Sequence, residues 1–434
     1  MCIRDSYTGA QIQPCNQKAS ALPMARNGSE CLILRFESKE GVVAELLYIP
    51  FDSSDVIVRQ TRLINNTNGP ITLHRAMSYQ LDLSRQDLLL TTLTGAWARE
   101  FEPDTAPVRR GRTVFGSVSG TSGHYCNPFF ALSDPNTGEH SGEIYGFNLI
   151  YSGSYAASVE ADSYGSLRIM AGVQSEGFHW TLAPGESFLT PEAVLTFSIE
   201  GRNGLRHNMH RFVTSHILPP HWREKPRPIL VNNWEATYFD FTPRKLRALA
   251  AKAAGLGAEL FVLDDGWFGR RTDDTRGLGD FDPNLKKLPS GLDGLAQDLK
   301  AKGLSFGLWV EPEMVSQDSA LYEEHPDWAV VSPGVSPSLG RNQLVLDLCR
   351  KEVQDYLITQ LNTLLDSTPI CYIKWDMNRH HTDRFSTVLL EQGRFAHTWT
   401  MGLYHVLEVV TTTHPEVLFE GCASGGNRFD LGML

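Results

Sequence analysis

From about residue 225 onward, five short apolar runs alternate with helical periodicities, and every run stops abruptly in polar or aromatic residues. The runs cover 229–233, 260–263, 305–310, 371–375 and 417–420. They end in Asn233-Trp234-Glu235, Asp264-Asp265-Gly266-Trp267, Trp309-Val310-Glu311-Pro312-Glu313, Lys374-Trp375-Asp376 and Glu420-Gly421-Cys422. Between the first two lies a helix with Thr242 as N-cap, Pro243 at its first position and Gly255 beyond its end. Leu246, Leu249, Ala250 and Ala253 give it one apolar face. Further helices are expected around Leu292, Leu295 and Leu299, around Val353, Leu357, Leu361 and Leu364, and over 395–412. Parallel strands whose C-terminal ends gather the reactive groups are how a (β/α)₈ barrel builds a site. A doubly wound sheet would use the same ends, but no Gly-rich phosphate loop follows any run.

Residues 30–200 read differently. Strand-like segments at 31–36, 42–49, 56–64, 71–79 and 167–173 are separated by turn clusters such as 65–70 and 134–138, without helical periodicity between them. That pattern predicts a large sandwich. Residues 201–222 read as a helical connector stopped by Pro219 and Pro220. The expected division is a β domain over 1–205, a linker over 206–224 and a partial barrel over 225–434.

Composition narrows the function. The 434 residues are 41% hydrophobic and carry a formal net charge of −11, which argues against a nucleic-acid or anionic-membrane partner. No run approaches the roughly 20 apolar residues of a membrane span, and Met1–Ser6 lacks the apolar core of a leader. Seven scattered cysteines with no CxxC pair indicate neither a disulfide framework nor a zinc site, and a cytoplasmic location is the default reading. No cofactor or metal is expected.

Within the fourth run, Lys374 and Asp376 share a face because strand residues alternate. A carboxylate beside an ammonium suits a nucleophile, although a structural ion pair at a strand end has the same pattern. The strand ends are rich in carboxylates and tryptophans. Sugar hydroxyls need bidentate acceptors, and retaining glycoside hydrolysis needs two carboxyl groups about 5–5.5 Å apart. The residue types therefore point to glycosidic bond cleavage. Asp264, Asp265, Glu311, Glu313, Glu420 and Asp430 all compete for the second carboxyl role.

Four motifs, Leu263-Asp264-Asp265-Gly266-Trp267-Phe268-Gly269, Trp309-Val310-Glu311-Pro312-Glu313-Met314, Tyr372-Ile373-Lys374-Trp375-Asp376-Met377-Asn378 and Cys422-Ala423-Ser424-Gly425-Gly426, occur in this order. Together they resemble the bacterial α-galactosidases of glycoside hydrolase family 36, from about residue 7 to Leu434. The resemblance implies a multidomain chain: an N-terminal β-supersandwich, a (β/α)₈ TIM barrel, here incomplete, and metal-free hydrolysis of terminal α-1,6-linked galactose with retention. It implies Asp376 as nucleophile and Lys374 as a galactose ligand that supports it. Asp264, Asp265, Arg341 and Asn378 would hold hydroxyls, Trp234 and Trp309 would wall the pocket, and Cys422, Ser424 and Gly425 would line its remaining side. Cys422 reads equally as a small packed side chain, and Glu311 and Glu313 as hydrogen-bonded groups at the barrel rim. The loop from Gly95 to Glu100 matches one that reaches a neighbouring subunit's active site in tetrameric members, which makes Trp97 a substrate-side contact and the protein a homo-oligomer.

The sequence departs from the family at both ends, since Met1–Ser6 does not resemble it and the last barrel units and the C-terminal β-sandwich are absent. The family's acid/base aspartate lies in a Trp-Thr-Ser-Asp-type motif that this chain does not contain, and Asp430 is a poor substitute. The chain is therefore expected to be a fragment truncated at both ends, inactive and aggregation-prone alone. The same architecture would also suit an α-N-acetylgalactosaminidase, a galactosyl transferase or a non-catalytic α-galactoside-binding protein.

Overall fold

The computed structural model describes residues 7–15, 21–123 and 125–434. Met1–Ser6, and the reading made of them above, lie outside the described residues. The chain forms two units, one running to Pro219 and including Asn427–Leu434, the other spanning Pro220–Gly426.

The first unit is a sandwich. Its large antiparallel sheet runs, in spatial order, Tyr7–Pro14, Glu30–Glu37, Val42–Phe51, Val56–Asn65, Ala193–Ser198, Ile144–Leu149, Cys126–Ser133, Leu89–Ala96 and Arg99–Pro107. A second sheet orders Tyr155–Ala161, Leu167–Val173 and Met77–Leu83. Aromatic stacking links the two faces: Phe147 lies 4.8 Å from Phe130 on its own sheet and 6.0 Å from Tyr79 on the other. The strand expected over 71–79 is two strands. Ile71–Leu73 pairs with Trp180–Leu182, whereas Met77–Leu83 pairs with Leu167–Val173. The polar pair His74-Arg75 between them is where the chain changes partner.

Two expected boundaries differ in the structure. The helix Gly201–Phe212 is no linker, because Leu205, Met209 and Phe212 are buried in this unit, the last two in a cluster with Val58 and Val194. Residues 427–434 were expected in the barrel but belong here. Leu431 joins the same cluster, and Asp430 accepts hydrogen bonds from Ser122 Oγ and Ser152 Oγ, both at 2.6 Å.

The second unit holds five parallel strands, Leu230–Asn232, Leu260–Leu263, Ser305–Val310, Ile370–Trp375 and Leu418–Gly421, each paired with the next in chain order. The order never reverses, so the sheet has no switch point of the kind at which doubly wound folds bind ligands. Leu260–Leu263 is fully buried, while the two outermost strands are partly exposed. The connecting helices follow their sequence signals. In Pro243–Gly255, Thr242 Oγ1 accepts from Lys245 N at 3.3 Å, and Leu246, Ala250 and Ala253 face inward. Gly255 is the last helical residue rather than the stop. The left-handed turn falls at Gly257, with φ of 90°. The helices Gly291–Lys300, Lys351–Ser367 and Phe395–Thr413 complete the alternation.

Candidate active site

The site is built where these strands end. Asp376 follows Ile370–Trp375, and its backbone N–H still pairs with Val310 O at 2.8 Å, so the strand geometry persists to this residue. Its carboxylate is 6% exposed and receives four donors. Trp309 Nε1 at 3.0 Å and Asn378 Nδ2 at 2.9 Å bond to Oδ2. The Met377 N–H at 2.9 Å and the Ser424 N–H at 3.3 Å bond to Oδ1. These donors come from three strand ends and fix the carboxylate's plane.

Lys374 shares that face but bonds elsewhere. Its Nζ donates to Asp264 Oδ2 at 2.8 Å, and the salt bridge is to Asp264 rather than to Asp376. Burial works against the Lys374 ammonium, yet the charge and hydrogen bond of Asp264, with smaller contributions from Cys422 and Asp376, raise it above the ordinary lysine value. Asp264 also accepts from Asn232 Nδ2 at 2.5 Å and from the Asp265 N–H at 2.9 Å. Asn233 Oδ1 in turn accepts from the Asp264 N–H at 2.7 Å.

Asp265, adjacent in sequence, is engaged differently. Arg271 grips it with two bonds of 2.8 and 2.7 Å, and both side chains are almost wholly buried. Burial raises the Asp265 carboxyl although Arg271 opposes the shift. Each of its oxygens thus accepts one guanidinium bond, which ties the strand end to the loop that carries Arg271.

The remaining predicted residues fall into three groups. Trp309 is 2% exposed, with its indole N–H committed to Asp376, while Trp234 is half-buried and packs edge-on to Tyr238 and Phe239. Arg341 and Asn342 both have positive φ, 49° and 62°, at the centre of a tight turn closed between Gly340 and Gln343. Such geometry is unusual for residues with a Cβ and marks a constrained loop. From it Arg341 Nη1 reaches Asn378 Oδ1 at 2.8 Å and Ser424 Oγ at 3.3 Å. Ser424 Oγ also donates to Asn378 Oδ1 at 2.7 Å. Ser424 and Gly425 both have positive φ, which turns the Ser424 N–H toward Asp376. The Cys422 thiol is pushed up to about 12 by burial and then by Asp376, so it sits beside the carboxylate as a neutral group.

The other carboxyl groups are also engaged. Glu313 accepts from Trp375 Nε1 at 2.7 Å, and Glu420 accepts from the Tyr372 hydroxyl. Glu311 accepts from Gln343 Nε2 and the Asn378 N–H, both at 2.6 Å. Asp430 belongs to the first unit, as does Trp97, which is 71% exposed at the tip of the hairpin formed by Leu89–Ala96 and Arg99–Pro107.

Two family models cover the chain in tandem: a glycosyl hydrolase family 36 N-terminal domain over residues 4–183 and melibiase over 187–434. This chain belongs to glycosyl hydrolase family 36. Alpha-galactosidase AgaA of Geobacillus stearothermophilus is 46% identical over 91% of the chain, and alpha-galactosidase 1 of Pediococcus pentosaceus 42% identical over 98%. A crystal structure of an AgaA variant in complex with stachyose matches 98% of the chain with a TM-score of 0.97 at 43% identity. The chain spans 54% and 59% of the two relatives' lengths and 60% of the crystallised chain.

Several residues that organise this family 36 site escaped the sequence reading. Asn232, Arg271 and Gln343 each hold a strand-end carboxyl group. Of these, Asn232 ends a strand beside Asn233-Trp234, a position that could have drawn attention. Arg271 and Gln343 lie in loops and stand in no periodic relation to the groups they hold.

Proposed function

We propose that the protein is a retaining α-galactosidase acting on terminal α-1,6-linked galactose, in melibiose- and raffinose-type oligosaccharides. The observation that carries this reading is Asp376, oriented by four N–H donors beside the Lys374–Asp264 pair at the ends of sequential parallel strands. The relatives' names and the stachyose bound by the AgaA variant point the same way. The unbroken strand order suits part of a (β/α)₈ barrel, preceded by the family's supersandwich.

In the proposed double displacement, Asp376 attacks the anomeric carbon from the face opposite the glycosidic oxygen, the C1–O bond breaks and the departing oxygen takes a proton. Water then enters from the vacated face and releases Asp376, so that two inversions restore the α configuration. Asp264 and Lys374 offer an acceptor and a donor to vicinal hydroxyls, and Arg341 and Asn378 offer further donors. Trp234 provides an aromatic wall, and Cys422, Ser424 and Gly425 close the far side. Asp265, held by Arg271, offers its remaining acceptor sites to a further hydroxyl. We assign none of the other strand-end carboxyls as the general acid. The exposed Trp97 suits a contact in a homo-oligomer.

Proton NMR of the sugar first released from 2,4-dinitrophenyl α-galactoside, whose leaving group needs no general acid, tests this reading. α-Galactose appearing first is expected. β-Galactose appearing first contradicts retention, and faster release from the N-acetylgalactosaminide contradicts the galactose pocket.

A further inference from the structure

Glu311 lies just past the strand Ser305–Val310 with a carboxyl group only 4% exposed. Its two oxygens are treated unequally. Oε1 accepts from Gln343 Nε2 and from the Asn378 backbone N–H, whereas Oε2 is buried with no hydrogen-bond partner among the described residues. The charged groups facing it are Asp376, beyond the next strand, and Arg271, which is already committed to Asp265. On its own segment, Glu313 is occupied with Trp375. A buried carboxylate oxygen without a donor is far more costly than a buried hydroxyl. A second negative charge beside Asp376 would add repulsion.

We infer that Glu311 is a neutral carboxylic acid, its proton on Oε2, and that it positions the Asp376 carboxylate by holding the Asn378 amide through Oε1. This deepens the α-galactosidase reading and rests on it. The relay is short. Glu311 Oε1 fixes the Asn378 backbone at 2.6 Å, and the Asn378 side chain then donates to Asp376 Oδ2 at 2.9 Å while accepting from Arg341 and Ser424. Burial first, and the Asp376 charge second, push Glu311 up to about 8 against the opposing Asn378 and Gln343 hydrogen bonds and the Arg271 charge. The neutral form therefore persists at neutral pH, and ionisation above that point sets two like charges against each other at the relay.

Infrared spectroscopy with ¹³C-labelled glutamate tests the protonation state directly. The Glu192→Gln variant removes the other glutamate that burial raises to about 8. In that variant a protonated-carboxyl band is expected at about pH 6 that vanishes as the pH passes about 8. A Glu311→Gln protein must lack this band, and its absence from the Glu192→Gln protein at about pH 6 overturns the inference. The kinetic readout is labelling of Asp376 by 2,4-dinitrophenyl 2-deoxy-2-fluoro-α-galactoside, whose leaving group needs no proton. Between about pH 7 and pH 9.5 the labelling rate should fall about tenfold in the native protein and within about twofold in Glu311→Gln. Equal falls in both proteins overturn the positioning role. Labelling of neither protein overturns the α-galactosidase reading instead, and the infrared result then decides the state of Glu311 alone.

Discussion

Lys374 Nζ and Asp264 Oδ2 meet at 2.8 Å across 110 residues of chain and across an intervening strand. Asp264 follows the second strand of the parallel sheet and Lys374 sits on the fourth, with Trp309 of the third lying in register with Lys374. Neighbouring strands lie about 4.8 Å apart, so the contact uses the length of the lysine side chain. Inward-facing residues of alternate strands meet in this way in a barrel. The pair is almost wholly screened from water, with side-chain exposures of 17% and 4%.

Removing one partner of that pair strands the other as a buried charge. Lys374→Met should cost roughly 3 kcal/mol of unfolding free energy. Lys374→Met combined with Asp264→Leu should recover much of that loss. Urea denaturation of the single and double variants measures the coupling, and additive losses would show that the two groups do not interact.

Trp309→Phe keeps the ring stacked against Phe268 but deletes the indole N–H that donates to Asp376. Hydrogen bonds to charged groups contribute about 1.5–3 kcal/mol, so the limiting rate at which 2,4-dinitrophenyl 2-deoxy-2-fluoro-α-galactoside labels Asp376 should fall roughly 10–100-fold with KM little changed. A change confined to KM would assign Trp309 to the sugar rather than to the carboxylate.

Asn378 binds Asp376, Arg341 and Ser424 at once. Asn378→Asp preserves its shape but turns a donor into a charge facing Asp376, and should lower kcat/KM by about 10³-fold, against about 10²-fold for Asn378→Ala. The second-order rate at which 2,4-dinitrophenyl 2-deoxy-2-fluoro-α-galactoside labels Asp376, which stands for kcat/KM of the first step, separates the two. A milder effect for Asn378→Asp would contradict the donor role.

Much of this arrangement was legible in the chain. The strands at 167–173, 260–263 and 305–310 have the limits read from their apolar runs, because runs of buried residues end sharply at polar ones. The same abrupt endings marked Asp264, Glu311 and Asp376. A period of two puts Lys374 and Asp376 on one face, but it is silent about a partner two strands away, and so the Lys374–Asp264 pair was missed. The return of residues 427–434 to the first unit depends on Ser122 and Ser152, about 300 residues earlier. The positive φ at Arg341 and Asn342 falls on residues other than glycine, in a turn closed between Gly340 and Gln343, so no turn signal announced it.

Acid titration should stabilise the first unit through Glu192. This fully buried carboxyl is raised from 4.5 to about 8 by burial, against the hydrogen bond from the Ala25 N–H. A folded value above the unfolded one means that its contribution is complete below about pH 4.5 and is lost as the pH rises to about 8. Glu192→Gln should therefore shrink the difference in unfolding free energy between about pH 5 and pH 8.5 by roughly 3–5 kcal/mol. An unchanged difference would show that Glu192 is ionised in the folded protein.

Asp376 is assigned as the nucleophile of a galactose-shaped site. Incubation with 2,4-dinitrophenyl 2-deoxy-2-fluoro-α-galactoside, followed by peptide mass mapping, tests it most directly, because departure of dinitrophenolate makes glycosylation independent of any general acid. A fluorogalactosyl adduct on the peptide bearing Asp376 is the predicted result. A folded protein with no adduct there, or with the adduct on another carboxyl group, would rule out Asp376 as the nucleophile.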